Sequence, residues 1–230
     1  MLRPGLPARL RCRDRTSETA MGKTTSSLED LVHLIAPPSS PVDAGKPDQW
    51  QDVERALGTA LPTDYKQFVN AYGSGEFNDL FWIYNPFSGV ECMNLLWEAG
   101  VPDSLENDEE LGRVYRLDSW LDHYYGLRCE YPEKCPLPPF PEPGGLLPLG
   151  GDSNGGSVCW LTVGGPDAWP IIRIPHGLFP VERHEMPLVR FLVLWLSGEL
   201  PQCFGGAGGA FARRGPVYLT RQPSAFSHDE

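Results

Sequence analysis

Two amphipathic segments separated by a very short connection constrain the fold of this chain most. Apolar residues recur at helical spacing in both segments, which predicts helices over 48–57 and 61–72. Gly58 suits the end of the first helix, and Pro62 suits the first turn of the second. The two apolar faces carry Trp50, Val53, Leu57, Tyr65, Phe68, Val69 and Tyr72. The pair therefore predicts two helices held at a tight turn, with their aromatic side chains in the core.

The remaining patterned segments predict both strands and helices. Further helices are predicted over 27–35, 115–125 and 186–197. Strands are predicted over 77–85, 146–149, 157–163 and 169–174, and a Pro-rich loop over 129–145. The order is helices, then antiparallel strands, then one helix. It predicts an α+β fold in which N-terminal helices and a C-terminal helix pack on a mainly antiparallel β-sheet.

The segment 150–156 has the turn chemistry of a β-hairpin. Asn154 and Gly155 form a pair that favours tight hairpin turns, and they lie between two predicted strands. Asp152 precedes this pair, and Trp160 lies in the strand that follows. The loop has some likeness to a calcium-binding loop but lacks the later acidic ligands and the bidentate Glu. We therefore interpret it as a turn.

In this order and spacing, these residues resemble the signature of the SUKH superfamily, also called Smi/Knr-like. The first part of the resemblance rests on Trp50, Glu54, Leu57, Gly58, Leu61, Pro62, Tyr65, Phe68, Tyr72 and Gly73. The second part rests on Asp152, Asn154, Gly155 and Trp160. The superfamily includes fungal regulators of cell-wall synthesis and many bacterial immunity proteins. The resemblance implies a fold built for protein binding. The residue types themselves specify core and turn positions, and none of them in this pattern implies chemistry.

The resemblance covers residues 47–197 and suggests a division of the chain. Residues 1–25 are rich in Arg, Pro, Ser and Thr without apolar periodicity, which predicts a disordered tail. Residues 26–46 are predicted to form a short helix and a linker, and residues 198–230 a flexible tail. Translation can start at Met1 or at Met21, which stands just before the first patterned segment.

Charge and hydropathy narrow the classes of partner. The net charge is −11; the first 20 residues carry five Arg, one Asp and one Glu, so the other 210 residues carry −14. Phosphate backbones repel a protein body this acidic, which argues against a nucleic-acid partner. The negative charge then indicates either a basic protein partner or a role in solubility alone. No apolar run is long enough to cross a membrane. The six cysteines form no CxxC pair, and a cytoplasmic location with reduced thiols is expected.

An acidic run without basic residues is the strongest candidate for a partner-binding surface. It contains Glu98, Asp103, Glu106, Asp108, Glu109 and Glu110. Immunity proteins resembling this family often oppose nuclease toxins with basic active clefts, and such a run would attract one by its charge. The alternative interpretation is a solvated surface loop.

Other clusters are weak candidates for metal binding or catalysis. Cys129 and Cys135 near His123 lack a second ligand pair with zinc-like spacing, and prolines interrupt the segment that carries His176 and His184. We therefore predict no metal, no cofactor and no enzymatic activity. The leading hypothesis is a bacterial immunity protein that neutralises a toxin by direct contact. The alternative is a scaffold or regulator of cell-wall synthesis or signalling, as in the fungal members.

Overall fold

The computed structural model forms one antiparallel sheet with helices on both of its faces. It describes residues 26–77, 80–101, 119–177, 181–200 and 218–219. The helices of the described residues are α1 (Leu28–Leu34), α2 (Pro47–Leu57), α3 (Thr63–Tyr72), α4 (Leu95–Glu98), α5 (Trp120–Glu130) and α6 (Leu188–Leu196). The strands are β1 (Glu76–Phe77), β2 (Phe81–Ile83), β3 (Leu146–Asp152), β4 (Ser157–Leu161), β5 (Ile171–Ile174), β6 (Glu182–His184) and β7 (Tyr218–Leu219). The predicted α+β class is confirmed.

The sheet has two covered faces. Its strand order is β6-β5-β4-β3-β2-β1-β7, and neighbouring strands are antiparallel. Consecutive residues of a strand point to opposite faces. In β4, Val158 and Trp160 enter a core shared with α1, α2, α3 and α6, which we call the helix side. Cys159 and Leu161 enter a second cluster with Tyr124 of α5, which we call the α5 side.

The turn between α2 and α3 forms where the sequence predicts it. Gly58 ends α2 with φ of +70°, a left-handed conformation that costs glycine little. Glu54 lies one turn earlier, and its Oε1 accepts hydrogen bonds from the backbone N–H of Leu61 at 3.0 Å and from Lys66 Nζ at 2.7 Å. These bonds lower the pKa of Glu54 against the opposing effect of burial. Pro62 stands just before α3 rather than inside its first turn.

Two strand predictions need correction. The stretch 77–85, predicted as one strand, contains the β1–β2 hairpin, in which Phe77 pairs with Phe81. In the sequence Asn78 and Asp79 stand between them, and these residue types favour a chain reversal, a signal that the neighbouring aromatic residues obscure. Strand β6 was not predicted, because its Glu-Arg-His sequence is charged, as edge strands often are.

Helix α5 lies further along the chain than the predicted helix over 115–125. Ser119 sets its beginning, because its Oγ accepts a hydrogen bond from the backbone N–H of Asp122 at 3.1 Å. The helix continues to Glu130, so its last two residues fall in the stretch predicted as a Pro-rich loop. Residues 115–118 lie outside the described residues, as do the predicted tail over 1–25 and most of the predicted tail over 198–230.

The segment 26–46 packs in the same core as the rest of the fold. Leu31 of α1 is fully buried on the helix side. Tyr72 Oη donates a hydrogen bond to the carbonyl oxygen of Ile35 at 2.7 Å, and the backbone N–H of Ser74 donates one to that of Val42 at 2.8 Å. Gly73 allows this approach, because a Cβ there would lie 2.0 Å from the Val42 carbonyl oxygen. The linker is therefore bound across the end of α3.

Two helices receive their N-terminal caps from distant carboxylates. Both α3 and α6 begin after a proline, whose side chain offers no cap. Asp167 accepts a hydrogen bond from the backbone N–H of Thr63 at 2.6 Å. Asp64 accepts one from the backbone N–H of Val189 at 2.9 Å. Burial raises the pKa of Asp64, and the nearby Asp167 adds to that rise. The two bonds lock α3 between the sheet connection and α6.

Replacing Asp64 with Ala should lower the free energy of unfolding by about 1 to 3 kcal/mol, because it leaves the buried N–H of Val189 without its acceptor. Asp64→Asn keeps an acceptor oxygen and should cost less. Asp48→Ala removes an exposed carboxylate in the first turn of α2 and should change the free energy by no more than about 0.5 kcal/mol. Urea denaturation followed by tryptophan fluorescence measures all three. Equal losses for Asp64→Ala and Asp48→Ala would contradict the cross-capping.

Candidate functional site

The residues of the first signature segment meet those of the second at Tyr65. This side chain is fully buried in α3, and its ring stands perpendicular to that of Trp160 in β4, with centroids 4.9 Å apart. Its Oη donates a hydrogen bond to the carbonyl oxygen of Tyr84 at 2.6 Å. Burial raises the pKa of Tyr65 well above its ordinary value, so the hydroxyl stays protonated as this donor. Tyr65 thus ties the helix layer to β4 and to the end of β2.

The other aromatic signature residues extend this core. The Trp50 ring meets Tyr65 edge-on at 5.9 Å, and its Nε1 donates a hydrogen bond to Asn70 Oδ1 at 3.0 Å. Phe68 stacks on Tyr72 with centroids 5.0 Å apart. Leu57, Leu61, Pro62 and Gly73 are also buried. These residues build the platform, and their contacts give them structural roles.

The hairpin signature forms a closed turn. Asp152 Oδ1 accepts hydrogen bonds from the backbone N–H groups of Asn154 at 2.8 Å and Gly156 at 2.9 Å. Gly155 has φ of +80°, and a Cβ there would lie 2.9 Å from His176 Nδ1. The Asp152 side chain is nearly fully buried. Its carboxylate therefore holds the turn from inside, which supports the interpretation as a hairpin.

The predicted acidic run needs a correction at its first residue. Glu98 is the last residue of α4 and is only 8% exposed, so it does not belong to an exposed acidic surface. Its Oε2 accepts a hydrogen bond from the backbone N–H of Trp120 at 2.7 Å. The other five residues of the run, Asp103, Glu106, Asp108, Glu109 and Glu110, lie outside the described residues. Its bond to Trp120 joins the two ends of the stretch that carries these residues in the sequence.

Both ends of this stretch, residues 99–119, which we call the acidic segment, are anchored. Before it, Asn94 caps α4, with its Oδ1 accepting a hydrogen bond from the backbone N–H of Leu96 at 2.8 Å. After it, Trp120 Nε1 donates a hydrogen bond to Ser157 Oγ of β4 at 2.8 Å. The Trp120 ring also stacks on Tyr124, with centroids 5.0 Å apart. We call Glu98, Trp120 and Ser157 the acidic-segment base. Sequence patterns point to Trp120 as apolar, but not to its bond across to β4.

Burial dominates the electrostatics of the base. It raises the pKa of Glu98 from 4.5 to about 7, although the Trp120 N–H favours the charged form. Burial, and next the charge of Glu98, raises the pKa of Tyr84 well above its ordinary value. A shifted carboxyl can signal catalysis, but it can also be structural. The bond from Glu98 to a backbone N–H gives it a structural role.

The remaining candidate ligands and nucleophiles do not assemble into a site. Among the described residues, no group of three or more His, Cys, Asp or Glu is placed to hold a metal ion. Cys159 is fully buried, and burial raises its pKa well above its ordinary value, which keeps the thiol protonated and unreactive. His176 is exposed, whereas His184 Nε2 lies 3.6 Å from Glu182 Oε2. The two histidines therefore occupy different environments.

A comparison with known families agrees with this geometry. The model of the SMI1 / KNR4 family (SUKH-1) matches residues 45–189. The chain belongs to this family. No curated protein and no solved structure matches it. Among the described residues, no helix has the length and apolar character needed to cross a membrane.

The matched range places the signature residues and the acidic segment in one SUKH-1 domain. It begins just before α2 and ends in the first turn of α6. It therefore includes the Tyr65–Trp160 contact and the acidic-segment base. It leaves out α1, although Leu31 packs in the same core. The acidic segment thus lies between α4 and α5 in the sequence, inside the matched range.

Replacing Glu98 with Gln should change the pH dependence of stability. The raised pKa means that the folded state binds the proton more tightly than the unfolded state. The contribution of Glu98 to the free energy of unfolding in the wild type is therefore largest below about pH 4.5, and it is lost as the pH rises towards 7. Glu98→Gln should remove this loss, on the order of 2 to 3 kcal/mol. Denaturant unfolding at pH 4.5, 6 and 8 measures it.

Glu91→Gln is the matched control, because Glu91 is exposed a short distance before α4. Its unfolding free energy should follow the wild-type pH dependence. A Glu98→Gln profile that runs parallel to the wild type over this range would mean that Glu98 is not protonated in the folded state as described.

Proposed function

We propose that this chain is a non-catalytic immunity protein that acts in the bacterial cytoplasm and neutralises a cognate toxin by direct binding. The partner is a protein with a basic active cleft, such as a nuclease. The observation that carries the proposal is that an acidic segment lies within the SUKH-1 domain and that its two ends are anchored. Family membership supports a protein partner but does not select it.

The charge of the segment suits a basic cleft. Its proposed partner-facing residues are Asp103, Glu106, Asp108, Glu109 and Glu110. No basic residue interrupts them, so their fields add. A toxin cleft that binds phosphates presents the opposite charge. The segment would therefore speed encounter and occupy the place of the substrate.

The anchored base makes the segment a suitable binding element. A long loop with free ends loses much conformational entropy when it orders on a partner. Here the Glu98–Trp120 bond closes the segment over 22 positions of sequence, and the Trp120–Ser157 bond fixes one end to the sheet. The conformational entropy of bringing the two ends of the segment together is thus lost when the protein folds, before the partner binds. The platform holds the base, and the segment supplies the charge.

The absence of enzymatic activity is part of the same proposal. The Tyr65 and Asp152 contacts support structural roles for the signature residues in the core and in turns. Glu98 accepts a backbone hydrogen bond and lies below the surface. A catalytic carboxyl needs a substrate pocket and fixed access to the reacting atoms. These features favour binding as the activity of the domain.

Co-expression with the product of a neighbouring toxin gene tests the immunity role. We expect the chain to restore growth and to copurify with the toxin. Failure of both would refute the proposal. A locus without a toxin gene, with several housekeeping proteins recovered in the pull-down, would instead favour the scaffold or regulator known from fungal members.

Neutralising the acidic segment should slow association with the partner. The variant carries Glu106→Gln, Asp108→Asn, Glu109→Gln and Glu110→Gln, which removes four negative charges. The association rate at low salt should fall by about tenfold or more, and its salt dependence should flatten. Stopped-flow or surface-based kinetics over a salt series measures both effects.

The matched control removes four exposed charges elsewhere, with Glu29→Gln, Asp48→Asn, Asp52→Asn and Glu91→Gln. Both variants have the same net charge, so a difference between them reports position. The control should keep most of the wild-type association rate. Equal slowing in both variants would show a general charge effect and would remove the steering role from the segment.

A further inference from the structure

The two edges of the sheet are protected in different ways. At the β6 edge, Arg173 Nη1 lies 3.0 Å from Glu182 Oε1, and Arg183 Nε lies 2.6 Å from Glu185 Oε1. Charged side chains along an edge strand discourage pairing with another chain. The β1 edge has the sequence Glu76-Phe77, with a single charge. The outer side of β1 is instead paired with a further strand, β7, which ends the sheet.

Strand β7 comes from the C-terminal part of the chain. The backbone of β7 pairs antiparallel with β1, with Glu76 opposite Leu219 and Phe77 opposite Tyr218. Residues 197–217 separate this strand from the end of α6. The edge is therefore covered by a segment that is remote in sequence and contributes two paired residues.

The acceptor edge is rigid without help from β7. Phe77 is fully buried on the helix side. Its ring meets that of Trp195 edge-on, with centroids 5.7 Å apart, and stacks with that of Phe81, with centroids 6.4 Å apart. Strand β1 also pairs with β2 along its inner edge. The core thus holds β1, the strand that accepts a neighbour, in place. Strand β7 pairs with it through a ladder of only two residues. Such short ladders open at a small fraction of the global unfolding free energy.

We propose that the outer edge of β1 is a strand-exchange site that accepts Tyr218–Leu219 of a second copy in place of the chain's own strand β7. In the single chain, tethering favours the chain's own segment through an effective concentration on the order of millimolar. A second copy supplies the same strand and makes the same backbone bonds, which is the route to a swapped dimer. This inference concerns self-association and is independent of the proposed toxin binding.

The test uses the full chain with Tyr218→Pro and Leu219→Pro, because proline has no N–H and cannot donate to β1. Hydrogen exchange of the peptic fragment that contains 76–77 is the readout. Exchange in the variant should be at least about tenfold faster than in the wild type. A free peptide with the sequence of residues 214–222 should restore slow exchange in the variant. The same peptide, fluorescently labelled, should bind the wild type at least about tenfold more weakly than the variant.

Three controls make the result decisive. Full chain with Ser224→Pro and Ala225→Pro should exchange as the wild type does, and a 214–222 peptide with prolines at the positions of Tyr218 and Leu219 should restore nothing. A scrambled 214–222 peptide should also fail. Unchanged exchange in the first variant would show that β7 does not protect β1. Restoration by the scrambled peptide would overturn recognition of a second copy. Equal binding of the labelled peptide to both proteins would overturn competition for one edge.

Discussion

Tyr65 is the side chain on which the arrangement of the two layers depends. It lies on α3, packs edge-on against Trp160 of β4, and donates a hydrogen bond to the backbone that follows β2. A leucine could fill part of the space but could not make that bond, and a polar side chain of other shape could not meet the indole ring. The hydroxyl also donates to the buried carbonyl oxygen of Tyr84, and a buried carbonyl without a donor would lower the free energy of unfolding. One residue thus sets the distance and the angle between helices and sheet.

Other interactions connect this joint to the acidic-segment base. Trp160 fixes β4, and Ser157 at the beginning of the same strand receives the Trp120 indole from the opposite face. Glu98 then joins the two ends of the acidic segment at its base. Asp64 and Asp167 hold α3 against α6 and the β4–β5 connection. The signature residues therefore support the base indirectly, because they hold the sheet to which the base is bonded.

Local patterns predicted the elements whose signals are local. Ser27 caps α1 through Asp30, Gly58 ends α2, and Asn154-Gly155 turns the hairpin, as their residue types indicate. The cross-caps were invisible, because Asp64 lies 125 positions from Val189 and Asp167 lies 104 from Thr63. Burial of Glu98 was missed because it precedes an acidic run. The preceding Asn94-Leu95-Leu96-Trp97, a cap followed by apolar residues, carries the signal of a buried helix.

A double-mutant cycle on Tyr65 and Trp160, with each replaced by Leu, tests the joint most directly. The unfolding free energies of the wild type, the two single variants and the double variant give the coupling between the rings. We predict a coupling of about 0.5 to 1.5 kcal/mol, typical of edge-on aromatic pairs. The control cycle pairs Tyr65 with Tyr124 on the α5 side and should be additive within about 0.5 kcal/mol. Additive losses for Tyr65 and Trp160 would contradict the claim that their contact joins the two signature segments.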